Sequence, residues 1–329
     1  MWLWMVAWAG AIGADVRGMT VSCPTWGWEW GSDAMVETLD VLASDGINWV
    51  AIHPYATIRR DGTVSTRPFE PAAPPDWLAR PIQEAHARGM KVMIKPHLAY
   101  WGSGFSWRGA ITFRDEAHWL RFFATYEAWV VQLAQASAGA DAYAVGTELD
   151  KTIHRDEWRR VITSVEAVYS GPLTYAANWD RVGDVPFWDA LDVVGVQAYF
   201  PVVEGPAGRV PTAAELAAGW ARIMTDVRGL HERTGKHVLF TELGYDASAT
   251  AATKPWASDG AGRNGQEIQH ACMRAALRAI DVEPAVVGAF LWKWFPGEVQ
   301  RGDFRMSGPG VRALIREAWG SPPSPASDR

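Results

Sequence analysis

Eight short segments of the chain are almost continuously apolar, and most are separated by longer stretches in which apolar residues recur every three or four positions. Continuous apolar runs of this length are typical of parallel strands that are buried on both faces. The recurring spacing is typical of helices that bury one face. The predicted strands are 18–22, 48–53, 91–98, 142–149, 173–178, 193–199, 237–245 and 287–294.

The clearest helical pattern lies between the third and fourth predicted strands. It consists of large apolar side chains at three- and four-residue spacing, which predicts a helix that packs on the core. These residues are Trp119, Phe122, Phe123, Tyr126, Trp129, Val130 and Leu133. Alternation of eight strands with helices predicts an α/β fold, the (β/α)8 or TIM barrel.

The connections differ in length at the two ends of the predicted barrel. Helices lead into strands through short turns with glycine at 46, 89, 171 and 235, where glycine is able to take a left-handed cap conformation. Strands lead into helices through long loops, at 55–76, 99–114, 200–212 and 246–264. Because a barrel of this kind builds its active site from the loops after its strands, these loops are the expected site.

No change of composition divides the 329 residues, so we expect one barrel domain over 15–319. Residues 1–14 are apolar and end in small residues, like a secretory signal, but no Lys or Arg precedes the apolar run. An export remnant and a segment packed on the domain both stay open; export or an extracellular location is preferred over a cytoplasmic one. Residues 320–329 are predicted to be a disordered tail.

Composition excludes several classes of function. The formal charge of −6 offers no basic surface for nucleic acid. The two cysteines, Cys23 and Cys272, belong to no metal-binding or disulfide pattern, nucleotide-binding glycine motifs are absent, and no segment is long enough for a dependable membrane span. We therefore expect no metal and no organic cofactor, and a monomer. The 20 tryptophans are unusual, and aromatic faces stack well on the apolar faces of sugar rings.

Two predicted strands end in the same way, with Thr-Glu-Leu. These endings place Glu148 at the end of the fourth strand and Glu242 at the end of the seventh, so both side chains are expected in the barrel mouth. Glycoside hydrolysis uses such a pair of carboxylic acids. The alternative is that each glutamate pairs with a barrel cation, such as Lys95 or Lys293, and does no chemistry.

The sequence also resembles a known family over nearly the whole predicted barrel, from about residue 18 to 294. It is similar to glycoside hydrolase family 113, a family of the retaining clan A. The resemblance rests on the segments 91–97 (Lys-Val-Met-Ile-Lys-Pro-His), 107–109 (Trp-Arg-Gly), 145–149 (Val-Gly-Thr-Glu-Leu), 173–179 (Leu-Thr-Tyr-Ala-Ala-Asn-Trp), 198–201 (Ala-Tyr-Phe-Pro) and 240–245 (Phe-Thr-Glu-Leu-Gly-Tyr).

The resemblance implies that Glu148 is the acid/base and Glu242 the nucleophile of a retaining endo-β-glycosidase acting on a β-1,4-linked polysaccharide. It implies β-mannan as the substrate, with chitosan or another β-glucan as the alternative. Gln197 stands where the family pattern has Asp, and Lys293 stands where Asn is more usual. These differences bear on sugar specificity. A catalytically silent, sugar-binding barrel is the rival from another functional class.

Other residues of the predicted mouth have candidate roles in substrate binding. Tyr199 is placed to orient Glu242, and Lys95 and His97 to bind sugar hydroxyls or to tune Glu148, although each is also compatible with structural packing. Asn178 is placed either to bind a hydroxyl or to cap a turn. Tryptophan is expected to stack on sugars or to pack the loops; the candidates are Trp28, Trp179, Trp256 and, beneath the cleavage point, Trp292.

Overall fold

The computed structural model describes residues 15–258, 262–299 and 303–320. Eight parallel strands close into a barrel with helices around it, as predicted. The strands within these residues are β1 (Val16–Val21), β2 (Trp49–Ile52), β3 (Tyr55–Ile58), β4 (Val64–Ser65), β5 (Lys91–Ile94), β6 (His97–Ala99), β7 (Ala142–Thr147), β8 (Leu173–Asn178), β9 (Val194–Gln197), β10 (Val238–Leu243) and β11 (Val286–Trp294).

Around the barrel the order is β1, β2, β5, β7, β8, β9, β10 and β11, and β11 returns to β1. The α-helices of the described part of the chain are α1 (Asp33–Ser44), α2 (Asp76–Ala87), α3 (Glu116–Ala136), α4 (Glu157–Glu166), α5 (Ala213–Thr234), α6 (Gly265–Asp281) and α7 (Pro309–Trp319). Between β8 and β9 the chain forms two short 3-10 turns, Val182–Asp184 and Trp188–Ala190, in place of an α-helix.

One predicted strand is divided. The segment 91–98 forms β5, stops at Lys95 and Pro96, and resumes as β6. Proline has no amide hydrogen to donate to a neighbouring strand, which explains why the ladder is interrupted there. After the break, β6 pairs in parallel with β3, and β3 pairs with β4, so that a small three-stranded sheet is added to the barrel.

The interior of the barrel changes character along its axis. One layer is apolar, and its residues include Trp49 and Phe290, whose rings meet edge to face at 6.1 Å. Nearer the ends of the strands the buried side chains are polar or charged, and Lys95 and Gln197 have no exposed surface. A dry apolar layer beneath a polar layer lowers the local dielectric, which makes charge interactions in the mouth stronger than in water.

The helical pattern predicted before the fourth strand is confirmed by α3. Its aromatic face is buried, and the Tyr126 hydroxyl donates to the carbonyl of Val145 at 2.8 Å, which ties the helix to β7. The left-handed glycine turns are present at Gly46, Gly89 and Gly235 but not at Gly171. At Gly171 an added Cβ would lie 2.5 Å from the Tyr169 hydroxyl, so close packing accounts for this glycine.

Some predictions concern the ends of the chain. Residues 1–14, predicted as an apolar N-terminal segment, and 321–329 of the predicted tail lie outside the described residues. Within the described part of the chain, no helix is both long enough and apolar enough to cross a membrane.

The closure of the barrel gives a test of the fold. Gly288 of β11 faces Val16 of β1 with φ of 135°, and an added Cβ would lie 2.0 Å from the Val16 carbonyl oxygen. We expect Gly288→Ala to lower the free energy of unfolding by more than about 3 kcal/mol, because the backbones of the two closing strands must separate. Chemical denaturation measures the effect.

The matched control is Gly183→Ala. A Cβ at Gly183 would meet nothing within 4 Å, and its φ is not in the left-handed region. Its free energy of unfolding should stay the same or rise by up to about 1 kcal/mol. Equal effects of the two substitutions would contradict the packing described at β1 and β11.

Candidate active site

Glu148 follows β7 in a backbone conformation that is uncommon for its residue type. Its φ is 54°, in the left-handed region, where a residue with a side chain is strained. Its amide donates to the carbonyl of Ala176 at 2.9 Å, and the next amide, of Leu149, donates to the Tyr175 hydroxyl at 2.8 Å. The neighbouring strand β8 therefore holds the conformation that turns the Glu148 side chain into the mouth.

Glu242 lies in β10, and both of its carboxylate oxygens are occupied. The ammonium of Lys95 donates to Oε1, and the Tyr199 hydroxyl donates to Oε2 at 2.7 Å. The side chain keeps only 5% of its exposure. A buried carboxylate is expensive unless it is paired and hydrogen-bonded, and here both requirements are met. Tyr199 thus contacts Glu242, and its role in orienting that carboxylate stays a prediction.

Lys95 is fully buried, and its ammonium also donates to the carbonyl of Thr241 at 3.0 Å. Burial lowers the pKa of Lys95, while the charge of Glu242 opposes that change. Lys95 thus contacts Glu242 directly, and its charge lowers the pKa of Glu148 without a contact. Lys293, the other candidate counter-charge, pairs with Asp303 at 2.6 Å.

Arg108 is the partner of Glu148, which the sequence did not indicate. The same guanidinium nitrogen, Nη1, donates to Glu148 Oε2 at 3.1 Å and to His97 Nδ1 at 3.1 Å. Arg108 belongs to a 3-10 turn, Arg108–Ala110, in the long loop after β6. The conformation of this loop decides where Arg108 lies. Its sequence neighbours, Trp107 and Gly109, do not indicate that it contacts Glu148.

His97 is buried between the two carboxylates. Because an arginine cannot accept a hydrogen bond, His97 Nδ1 must be the acceptor, which leaves the proton of the neutral ring on Nε2. That nitrogen lies 3.8 Å from Glu242 Oε1. Burial and the nearby charge of Arg108 hold the pKa of His97 well below its usual value, so the ring is neutral at physiological pH. His53 stacks on it with ring centroids 4.7 Å apart.

The two glutamates differ in their electrostatic surroundings. Burial raises the pKa of Glu148 from 4.5 to about 7, Arg108 opposes this rise, and the charge of Glu242 adds to it. Among the described residues, Arg108 is the one cation that contacts Glu148, while Glu242 has Lys95 and a tyrosine hydroxyl. The arrangement supplies one carboxyl that carries a proton near neutral pH and another whose oxygens are bound by donors.

Both carboxyls line a cleft of about 510 Å³ in the mouth of the barrel. Most of the predicted site residues line the same cleft: Glu148, Asn178, Trp179, Tyr199, Glu242, Trp256 and Trp292. Lys95 and His97 are buried beside it, where Lys95 lies 5.0 Å from the ring of Trp292 and His97 stacks on that ring at 6.1 Å. A groove of similar size between α5 and α6 holds one carboxylate, Glu283, which pairs with Arg228 at 2.6 Å.

The cleft wall on the side of β8 and β10 is partly acidic and partly aromatic. The Asn178 amide donates to both oxygens of Asp150, at 3.0 and 3.1 Å. Burial raises the pKa of Asp150 to about 6, the hydrogen bond from Asn178 lowers it, and the charge of Asp180 raises it further. Trp179 and Trp256 stack with centroids 6.0 Å apart. The side-chain amide of Asn178 is therefore already hydrogen-bonded to a protein carboxylate.

Trp28 is a predicted site residue that is absent from the lining of this cleft. It meets Trp77 edge to face at 6.5 Å, and Arg67 lies 4.9 Å above its ring. Its role in binding substrate stays a prediction. Among the residues that the structure describes, no group of three His, Cys, Asp or Glu side chains is arranged to hold a metal ion.

The sequence profile of Glycoside Hydrolase Family 113 matches residues 19–303, a range that contains both glutamates and nearly all of the barrel. The chain belongs to glycoside hydrolase family 113. It is therefore a glycoside hydrolase, and the resemblance noted in the sequence is confirmed. Among curated proteins, none shows significant similarity to the sequence.

Solved structures of family 113 have the same fold. The GH113 β-mannanase AaManA from Alicyclobacillus acidocaldarius, in complex with ManMIm, is 24% identical with a TM-score of 0.80, and the alignment covers 95% of this chain and 98% of that one. A complex of a GH113 β-1,4-mannanase is 21% identical with a TM-score of 0.80, over 93% and 99%. A Ruminococcus gnavus β-glucuronidase is 14% identical with a TM-score of 0.61, over 93% and 51%.

The raised pKa of Glu148 predicts how stability depends on pH. Its folded-state pKa, about 7, lies above the ordinary 4.5, so the folded state holds the proton more tightly. This stabilisation is complete below about pH 4.5 and is lost as the pH rises through 7. Glu148→Gln, which is always neutral, should thus gain about 1–3 kcal/mol in unfolding free energy relative to the unmodified protein between pH 5 and pH 8.

Denaturant unfolding at the two pH values measures this difference. Glu232→Gln, at an exposed position of α5, is the matched control and should leave the free energy unchanged at both. A difference for Glu148→Gln that does not vary with pH would show that burial does not perturb this carboxyl.

Proposed function

We propose that this family 113 enzyme is a retaining endo-β-glycosidase that cleaves a β-1,4-linked polysaccharide, β-mannan, by double displacement. The observation that carries the proposal is the contrast between the two carboxyls. Glu242 has both oxygens held by Lys95 and Tyr199, as suits a nucleophile, and Glu148 has a pKa raised to about 7, as suits a general acid.

In the first step, Glu242 attacks the anomeric carbon while Glu148 gives its proton to the glycosidic oxygen. The bond to the leaving sugar breaks, and a glycosyl ester forms on Glu242. The ester no longer carries the carboxylate charge, and this charge is one of the causes that raise the pKa of Glu148. Arg108 remains in place, so the pKa of Glu148 falls as the intermediate forms.

In the second step, Glu148 acts as a base. It takes a proton from water, the water oxygen attacks the anomeric carbon, and Glu242 leaves as a carboxylate that Lys95 and Tyr199 receive again. Two inversions at the same carbon retain its configuration. His97, held neutral beneath the pair, positions Arg108 and takes no proton in this scheme.

β-Mannan is the substrate that the family relatives favour, because the family 113 structures with this fold are β-mannanases. The neutral aromatic surfaces of Trp292 and of the Trp179–Trp256 pair suit an uncharged polysaccharide. One observation favours a second candidate, chitosan. Asp150 and Asp180 line the same wall, and their carboxylates would pair with the ammonium groups of an amino sugar.

The role of Glu242 is tested by its removal. We expect Glu242→Ala to reduce turnover of β-mannan by at least about 10⁴-fold, because no nucleophile remains. Azide fits the space left by the carboxylate, and with an activated aryl β-glycoside it should restore turnover and yield a glycosyl azide of the opposite, α configuration. Glu232→Ala, on the surface of α5, is the control and should keep full activity. Rescue that yields the β-azide would assign the nucleophile elsewhere.

The role of Glu148 is tested by the choice of leaving group. Glu148→Ala should leave the first step fast with a 2,4-dinitrophenyl glycoside, which needs no protonation, and should slow cleavage of β-mannan by about 10²–10⁴-fold. A burst of dinitrophenol followed by slow turnover is the expected time course, since the second step lacks its base. Equal losses with both substrates would contradict the assignment of Glu148 as acid/base.

A further inference from the structure

The strongly exposed tryptophans have an uneven distribution. Among the residues that the structure describes they are Trp26, Trp28, Trp101, Trp107 and Trp256, and all five lie in the segments that follow the ends of barrel strands, with Trp28 at the start of a short 3-10 turn and none of them in an α-helix. In the described part of the chain, the α-helices and the opposite end of the barrel expose none. Exposed apolar clusters of this kind mark binding surfaces, and Trp107 and Trp256 already line the cleft.

Three rings form a second aromatic surface outside the lining of the cleft. Tyr55 meets Trp26 edge to face at 5.9 Å and lies tilted against Trp101 at 5.6 Å. Trp26 is 44% exposed and Trp101 60% exposed. We call Trp26, Tyr55 and Trp101 the aromatic shelf. The side-chain hydroxyl of Tyr55 makes no hydrogen bond to any described residue, so the shelf also offers a polar atom.

The added three-stranded sheet holds the shelf in place. Tyr55 is the first residue of β3 and pairs with His97 of β6, while Trp101 follows the end of β6 by two residues. β3 is also tied to β4, where the Thr57 hydroxyl donates to the Ser65 carbonyl at 3.0 Å. The pairing of Tyr55 with His97, and that of Thr57 and Ile58 with β4, fixes the position of Tyr55 before any ligand binds, which reduces the entropy cost of binding.

The shelf packs against the catalytic cleft through the buried ring of His97. Tyr55 meets His97 edge to face at 5.9 Å, and His97 stacks on Trp292 of the cleft at 6.1 Å. The shelf belongs to the loops after β1, β2 and β6, while Trp179 and Trp256 follow β8 and β10 on the opposite side of the barrel. Two aromatic surfaces therefore stand on opposite sides of the mouth that holds both glutamates.

We propose that the aromatic shelf is a distal sugar-binding site for a β-linked polysaccharide. The site rests on the proposed function, since it binds units of the chain that Glu148 and Glu242 cleave. The apolar faces of a sugar stack on Trp26 or Trp101, and the Tyr55 hydroxyl bonds a sugar hydroxyl. A chain held on both sides of the cleavage point is cut in its interior, which gives the enzyme an endo action and a preference for long substrates.

The test compares a long and a short substrate. Trp101→Ala and Trp26→Ala should each lower kcat/KM on β-mannan by about 5- to 10-fold through KM, the loss of one stacking contact. Neither should change kcat/KM on an aryl β-mannoside, whose single sugar lies at the cleavage point, by more than about 2-fold. Leu120→Ala, at an exposed position of α3, is the control and should leave both unchanged. Equal losses on both substrates, or no loss on β-mannan, would contradict the proposal that the shelf binds sugar units away from the cleavage point.

A binding measurement separates the shelf from the proposed chemistry. Gel mobility of Glu242→Ala is recorded in gels that contain β-mannan, chitosan or hydroxyethyl cellulose. Retardation by one polymer, reduced when Trp101→Ala is added, supports the shelf even if the unmodified protein cleaves nothing, in which case only the proposed function fails. If the unmodified protein cleaves a polymer and the retardation does not depend on Trp26 or Trp101, the proposed function stands and the shelf is not a sugar-binding site. A lack of retardation by every polymer would also contradict sugar binding by the shelf.

Discussion

The buried ion pair of Lys95 and Glu242 is the constraint on which the rest of the site depends. Both side chains lie inside the barrel mouth, and Lys95 has no exposed surface. Removal of either charge would leave the other uncompensated in a place with little water, which is far more costly than loss of a surface pair. The barrel supplies that environment, because apolar side chains such as Trp49 and Phe290 fill the layer beneath.

One scaffold gives two glutamates different properties through their neighbours. Glu242 lies within its strand and receives a cation and a hydroxyl, whereas Glu148 lies just past its strand in a strained conformation and shares one arginine with a histidine. Burial outweighs the effect of Arg108, so Glu148 keeps its proton up to about pH 7. The charge of Glu242 contributes to the raised pKa of Glu148, so the protonation of each carboxyl affects that of the other.

Much of the fold was predictable because strand and helix patterns are local. The eight strands, the aromatic face of α3 and the positions of Glu148 and Glu242 at the barrel mouth follow from apolar runs and their endings. The contacts between distant segments were not predictable. Lys95 reaches Glu242, 147 positions away, and Arg108 reaches Glu148 from a long loop, since strand order and loop conformation decide these pairs. The predicted strand 91–98 ran across Pro96, and the break found there leads to the sheet of β3, β4 and β6, which depends on long-range pairing.

In the proposed mechanism, two carboxyls with different protonation act in sequence on one anomeric carbon. The most direct test is proton NMR of the reducing end that forms first when the unmodified enzyme cleaves β-mannan oligosaccharides. The β-anomer should appear first, and the α-anomer should grow only as mutarotation proceeds, because two displacements retain configuration. An α-anomer formed first would mean a single displacement by water, which would contradict the assignment of Glu242 as a nucleophile.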